Sequence, residues 1–334
     1  MRWRVLLNHG LLLSFFLSLA GAVLPSLAQS AETVRVAVLK FGTVNWELDT
    51  VVQHKFDEAN GFKLELVVLA SNDATRIAIN AGEVDVIVSD WLFVSRQRAE
   101  GIPLTFVPYS TSVGAIMVPP TSAAETLADL RGAKIGVAGG PLDKNWLMYQ
   151  GLAQEKYGFN LAEESEPAFG APPLLMEKLI QGELDATSNY WNYNARLEVE
   201  GYRELVSGAD AAAALGATGP ISAIGYVFNE EWANEHKDAM LGFVRASRDA
   251  KDLLAESDEE WRRLRPLMNI DDDAVFENIV QRYREGIPNR PIAEEEADTA
   301  KIYDRLAKIG GEELVGSATT MSLGTFWSVL KNGS

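Results

Sequence analysis

The 334-residue chain has no cysteine and only three histidines. The first absence excludes disulfides, thiolate metal sites, iron–sulfur clusters and cysteine nucleophiles together. The second leaves imidazole chemistry short of material: His54 lies inside a helical stretch and His236 opens another, and neither has a metal partner at helical spacing. Positive charge is also scarce. Thirty Lys and Arg face 47 Asp and Glu, a formal net charge of −17, which argues against nucleic acid or anionic lipid as partner. Neither the glycine spacing of a dinucleotide-binding turn nor a Gly-Lys-Ser/Thr phosphate loop occurs. Asp271-Asp272-Asp273 lacks the glycine and spaced oxygens of a calcium loop, so the run reads as acids at a helix start. No cofactor is expected. The hydrophobic share of 47%, with 27 Gly and 13 Pro, is that of an ordinary folded globule.

The first 28 residues read as an address. Arg2 and Arg4 precede an uncharged apolar run, Leu11 to Val23, and Ser26-Leu27-Ala28 supplies small residues for cleavage. The run is shorter than the roughly 20 residues of a spanning helix, which disfavours a membrane anchor. With no cysteine to carry a lipid, the exported product is expected to be soluble and retained in a periplasm, with outright secretion as the alternative.

Beyond the leader, short β-branched runs alternate with amphipathic stretches: Val34 to Leu39 then Trp46 to Ala59, Lys63 to Leu69 then Asp73 to Ala81, Val84 to Ser89 then Trp91 to Glu100. That alternation is the signature of a parallel sheet covered by helices. Leu104 to Pro108 and Val113 to Val118 read as two more strands, and Pro119-Pro120 as the break before a second unit. The second unit repeats the pattern from Lys134 to Val206, with the Ala211 to Ala214 run as a flexible or marginally helical connector, and Ile221 to Phe228 is again extended. Helices alone follow: Glu235 to Leu254, Glu259 to Met268, Asp271 to Glu285, Ala293 to Ile309 and Leu323 to Leu330. An internal echo links the two units, since Ala81-Gly82-Glu83-Val84-Asp85-Val86 corresponds to Gln181-Gly182-Glu183-Leu184-Asp185-Ala186. Each copy puts a glycine where a helix stops and an acid where a strand enters.

Ligands of open parallel sheets sit beyond the carboxyl ends of the strands. The segments there are Lys40 to Trp46, Ser71 to Asp73, Ser89 to Trp91, Gly139 to Lys144 and Asn189 to Tyr193. Asn72 and Asp90 stand where helices begin, a position that favours capping over ligand contact. Phe41, Trp46, Trp91, Tyr190, Trp191 and Tyr193 concentrate aromatic rings at the strand ends of both units, which points to a cleft for a small flat or partly apolar molecule. Asp90 and Asp143 beside those rings would favour a cationic group. Gly139-Gly140-Pro141 ahead of a helix reads either as an anion-receiving turn or as a simple tight turn.

These strand-end segments, in order, resemble the substrate-binding proteins of bacterial ABC importers, the group handling sulfonates, taurine, nitrate and thiamine-precursor pyrimidines. The resemblance is carried by the two echo motifs and by Leu127-Ala128-Asp129-Leu130-Arg131-Gly132-Ala133-Lys134-Ile135-Gly136-Val137. It implies a two-lobed α/β periplasmic binding protein fold of type II, with mixed, mainly parallel sheets and a helical C-terminal tail. Lobe 1 would comprise residues 29–118 and 226–334, and lobe 2 residues 119–225, with crossings at Ile116 to Pro120 and Ile221 to Val227. By the same resemblance, Thr43, Asn45, Trp46, Asn72, Asp90 and Trp91 would contact ligand from the first lobe. Gly140, Asp143, Lys144, Asn189, Tyr190 and Trp191 would do so from the second. Such sulfonate binders carry small serine-rich contacts after the second-lobe entry strand, where this chain has an acid at Asp143. The expected function is therefore a periplasmic solute receptor, monomeric and without enzymatic activity, that closes on a small aromatic or nitrogen-containing molecule and serves an inner-membrane permease. The alternatives are a sulfonate- or taurine-type oxyanion binder, an exported enzyme using Asp90, Asp143 and Lys144, and a ligand-sensing partner of a membrane receptor.

Overall fold

A computed structural model describes residues 31–332, and the expected leader lies outside them. The first unit runs β1 (Glu32–Leu39), α1 (Val44–Gln53), α2 (Phe56–Ala59), β2 (Phe62–Leu69), α3 (Asn72–Asn80), β3 (Val86–Ser89), α4 (Trp91–Ala99) and β4 (Leu104–Ser110). The second runs β5 (Ala115–Val118), β6 (Lys134–Ala138), α5 (Lys144–Tyr157), α6 (Leu161–Glu164), β7 (Glu166–Gly170), α7 (Pro172–Ile180), β8 (Ala186–Asn189), α8 (Trp191–Val199), β9 (Arg203–Ser207) and α9 (Gly208–Ala214). The chain then returns through β10 (Ile224–Asn229) and ends in α10 (Glu230–Glu235), α11 (Lys237–Glu256), α12 (Asp258–Met268), α13 (Asp273–Glu285), α14 (Ile292–Gly310) and α15 (Glu312–Val315).

Two five-stranded sheets result, ordered β2-β1-β3-β10-β4 and β7-β6-β8-β5-β9. In the first, β1 is parallel to β2 and β3, while β10 runs antiparallel between β3 and β4. In the second, β6 is parallel to β7 and β8, while β5 runs antiparallel between β8 and β9. Each sheet is thus completed by the strand that follows a crossing from the other.

This pairing moves the expected lobe boundaries. Ala115–Val118 belongs to the second sheet and Ile224 already belongs to the first, so the crossings lie at residues 111–114 and before residue 224 rather than at Ile116 to Pro120 and Ile221 to Val227. All four residues of β5 are buried, a pattern that fits either sheet equally well. Pro119 marks the end of β5, after the crossing is already made. Gly114 shows where the chain enters: a Cβ there would lie 1.8 Å from the Asn189 carbonyl oxygen, so only glycine fits against the end of β8.

The echo motif is a structural equivalence. Gly82 and Gly182 take φ of +70° and +73°, and in each copy the next amide returns to the helix, Glu83 to the Ala78 carbonyl and Glu183 to the Lys178 carbonyl. Asp85 then accepts from the Arg35 amide and Asp185 from the Lys134 amide, both at 2.8 Å, which pins each motif to the start of the sheet's inner strand. Register fixed this way delivers Ser89-Asp90 and Asn189-Tyr190 to corresponding sheet ends.

The alanine run takes the helical of its two expected forms, because Ser207 and Asp210 form a reciprocal cap at its start. One tail expectation changes. Leu323 to Leu330 is helical only from Ser328, in a short 3-10 helix; ahead of it the Phe106 amide donates to the Thr325 carbonyl and the Trp327 amide to the Phe106 carbonyl, a single bridge that covers the edge of β4.

Candidate functional site

Five helices, α1, α3, α4, α5 and α8, begin around one cavity between the lobes, with about 910 Å³ of atom-free space including its mouth. Ala37, Leu39, Val44, Val88, Val113 and Ile224 supply apolar wall, and Tyr109, Tyr190 and Trp191 supply rings. Helix starts leave amides without intrahelical partners and carry partial positive charge. Neither Thr43 nor Tyr190 makes a side-chain cap, so α1 in the first lobe and α8 in the second meet the cavity uncapped.

Seven of the twelve expected contacts line this space: Thr43, Asn72, Asp90, Asp143, Lys144, Tyr190 and Trp191. The other five are turned to structural work. Asn45 donates to the Leu39 and Gly42 carbonyls at 2.8 Å each, tying the loop before α1. Asn189 donates to the Pro172 carbonyl and accepts from the Tyr190 amide. Trp91 is wholly buried in the first-lobe core, and Gly140 stands behind Gly139, which is the glycine that faces the cavity.

Trp46 is the main correction to the aromatic-cleft expectation. Its ring meets Trp191 edge-on at 6.1 Å and Trp261 at 6.0 Å, within a cluster that includes Tyr283, Leu254, Leu264 and Met268. The tail helices α12 and α13 supply most of that cluster and use up the Trp46 faces. A strand-end aromatic seals the core when a later element comes to cover it, and nothing within residues 40–46 announces that cover.

Sequence reasoning missed Thr75, Arg76, Tyr109, Ser112 and Asn145, and named Asn192 only within the Asn189 to Tyr193 segment; all six line the cavity. Asn72, Thr75 and Arg76 stand at i, i+3 and i+4 on one face of α3, so helical spacing from Asn72 could have found the other two. Asn72 is also not the expected cap, because Ser71 accepts from the Ala74 amide and takes that role. Thus freed, Asn72 donates to the Tyr190 hydroxyl at 3.1 Å, a hydrogen bond from one lobe to the other. Burial, and then the charge of Asp143, pushes the Tyr190 hydroxyl well above its ordinary pKa, so it remains a neutral phenol.

Charge in the cavity is arranged in two loose pairs, one per lobe. Asp90 caps α4 through Oδ1, accepting from the Phe93 amide at 2.8 Å, while its Oδ2 lies 3.6 Å from Arg76. Asp143 caps α5 through Oδ1, accepting from the Asn145 and Trp146 amides, while its Oδ2 lies 3.7 Å from Lys144 Nζ. Arg76 also lies over the Phe93 ring, 4.6 Å from its centre, which holds the guanidinium at the wall. Among the described residues no group of three or more His, Asp or Glu side chains is placed to hold a metal ion.

Two α/β lobes with helix starts converging on a cavity between them define the two-lobed periplasmic binding protein fold. The NMT1/THI5-like family model matches residues 53–260, and the chain belongs to that family. Among solved structures, the chain resembles the alkanesulfonate-binding protein SsuA from Xanthomonas axonopodis pv. citri bound to MOPS, at 20% identity and a TM-score of 0.68, over 90% of this chain and 99% of that one. It also resembles the periplasmic aliphatic sulphonate binding protein SsuA from Escherichia coli, at 19% identity and a TM-score of 0.69, over 89% and 92% of the two chains. No curated protein matches. No helix among the described residues is long and apolar enough to cross a membrane.

Proposed function

We propose that the protein is the solute-binding component of an ABC import system. It is exported to the periplasm by a cleaved leader, takes a small organic molecule between its lobes, and delivers it unchanged to a permease in the inner membrane. One observation carries this reading: a cavity is walled by both lobes at the strand ends, and Asn72 reaches Tyr190 across it. A ligand touching both walls binds the closed arrangement better than the open one and so shifts the population toward closure. Tyr109, Tyr190 and Trp191 offer rings for an aromatic or otherwise apolar body.

The test is a thermal-shift screen of the purified protein against small organic solutes, read alongside tryptophan fluorescence because Trp191 lines the cavity. A cognate solute at a hundred times its Kd raises stability by about 2.7 kcal/mol and the melting temperature with it. A protein that no solute stabilises, or that turns over the solute it binds, is not the receptor described.

A further inference from the structure

Resting on the receptor reading, we infer that the solute is a zwitterion, carrying a positively charged nitrogen as well as an anionic end. Asp90 and Asp143 are both more than nine-tenths buried, and both line the cavity. In each, Oδ1 is committed to a helix cap and Oδ2 receives no hydrogen bond from any described residue. Neither Oδ2 belongs to the set of fully enclosed unpartnered atoms, so each retains open surface within a cavity-lining residue. The neighbouring cations stand at 3.6 and 3.7 Å, beyond hydrogen-bond contact, and the Arg76 guanidinium is equally loose to the exposed Asp73 at 3.8 Å. Each wall therefore presents one carboxylate oxygen and one cation that are loosely ion-paired but not hydrogen-bonded to each other.

Buried charge left without hydrogen bonds is costly. A purely anionic solute would satisfy Arg76 and Lys144 but would face two free carboxylate oxygens. A purely cationic one would satisfy the acids and leave the two bases. A molecule with both signs answers all four groups, its ammonium hydrogen-bonding to Asp90 and Asp143 and its anion to Arg76, Lys144 and the uncapped starts of α1 and α8. Gly139 has a part in this arrangement: a Cβ there would lie 2.7 Å from Asp143 Oδ2, so glycine keeps the space that the free oxygen occupies.

The experiment compares matched probes by calorimetric titration of the full-length mature protein: butanoate, 4-aminobutanoate, propane-1-sulfonate, 3-aminopropane-1-sulfonate and butylammonium. The expected result is that at least one zwitterion binds about tenfold or more tightly than its matched anion and than butylammonium, the scale of one charge-assisted hydrogen bond. The carboxylate and sulfonate arms show which anion is preferred. Asp143→Asn keeps the capping oxygen and is expected to reduce that preference about tenfold, as is Asp90→Asn, with melting curves confirming that each variant folds. An anion binding as tightly as its zwitterion overturns the inference, as does failure of every zwitterion. The wild-type comparison decides this even if the variants do not fold. The receptor reading itself falls only if the broad solute screen is also blank.

Discussion

At the scale of single residues, the cavity separates side chains that hold the protein together from those left for a partner. Trp46 has its faces against Trp191 and Trp261, so Trp46→Ala removes core and is expected to cost about 3–5 kcal/mol, seen as a lower denaturation midpoint. Tyr190→Phe is the contrasting change. It removes only the hydroxyl that meets Asn72, so the midpoint stays within about 1 kcal/mol while solute affinity falls several-fold, measured by titration.

Glu260 offers a pH test away from the cavity. Burial opposes its charge, but hydrogen bonds from Arg263, His54 and Thr50 outweigh that and hold the carboxyl at about 2. Its folded-state pKa is depressed, so its contribution is fully present above the ordinary carboxyl value of 4.5 and is lost as pH falls toward 2. Acid unfolding of Glu260→Gln beside the wild type is expected to show a stability gap that is widest above that value and closes as pH approaches 2.

The residues legible in the sequence were those set by a local rule. Asp90 and Asp143 follow a strand and open a helix, and both are where that rule puts them. Arg76 could be placed by helical spacing from Asn72, but its partner could not, because Asp90 arrives from another strand end. Asn45, Asn189 and Trp46 met the same local rule but do not line the cavity, and only the folded loop and the distant α12 and α13 show what occupies them.

At the scale of elements, helix–strand alternation was readable because each parallel strand needs a crossover helix, and the resulting periods are unlike. The echo motif was readable for the same reason. Its two glycines do the same task, so Gly82→Ala and Gly182→Ala should each cost about 1–2 kcal/mol through a left-handed φ, with similar shifts in the unfolding midpoint. Unequal shifts would mean that the two turns bear different loads. The crossings were not readable from pattern alone. A strand buried on both faces carries no mark of the sheet that receives it, and the assignment of Ala115–Val118 depends on pairing with β8 and β9.

At the scale of the whole molecule, the C-terminal helices tie the lobes together. Asn278 on α13 donates to the Ala195 carbonyl and to Glu198 on α8, while the Ser112 hydroxyl donates to the Arg282 carbonyl at the crossing. The Arg96 guanidinium of the first lobe is bonded to the Leu314 carbonyl, and Arg305 on α14 pairs with Glu155 on α5. With contacts spread over both lobes, melting is expected to be one cooperative event. Scanning calorimetry checks this: calorimetric and van't Hoff enthalpies agree for a single unit, whereas two resolved peaks would show lobes that unfold separately.

The exchange of strands between sheets also sets an order of events during synthesis. The position between β3 and β4 is filled by β10, so a chain that has not reached Asn229 holds two facing strand edges with nothing to join them. The second sheet, whose last strand ends at Ser207, can close while the first still waits, even though the first began earlier. The strands β1, β2 and β3 can pair with one another meanwhile, but β3 and β4 each wait for the neighbour between them, so the part of this protein that is made first is completed last.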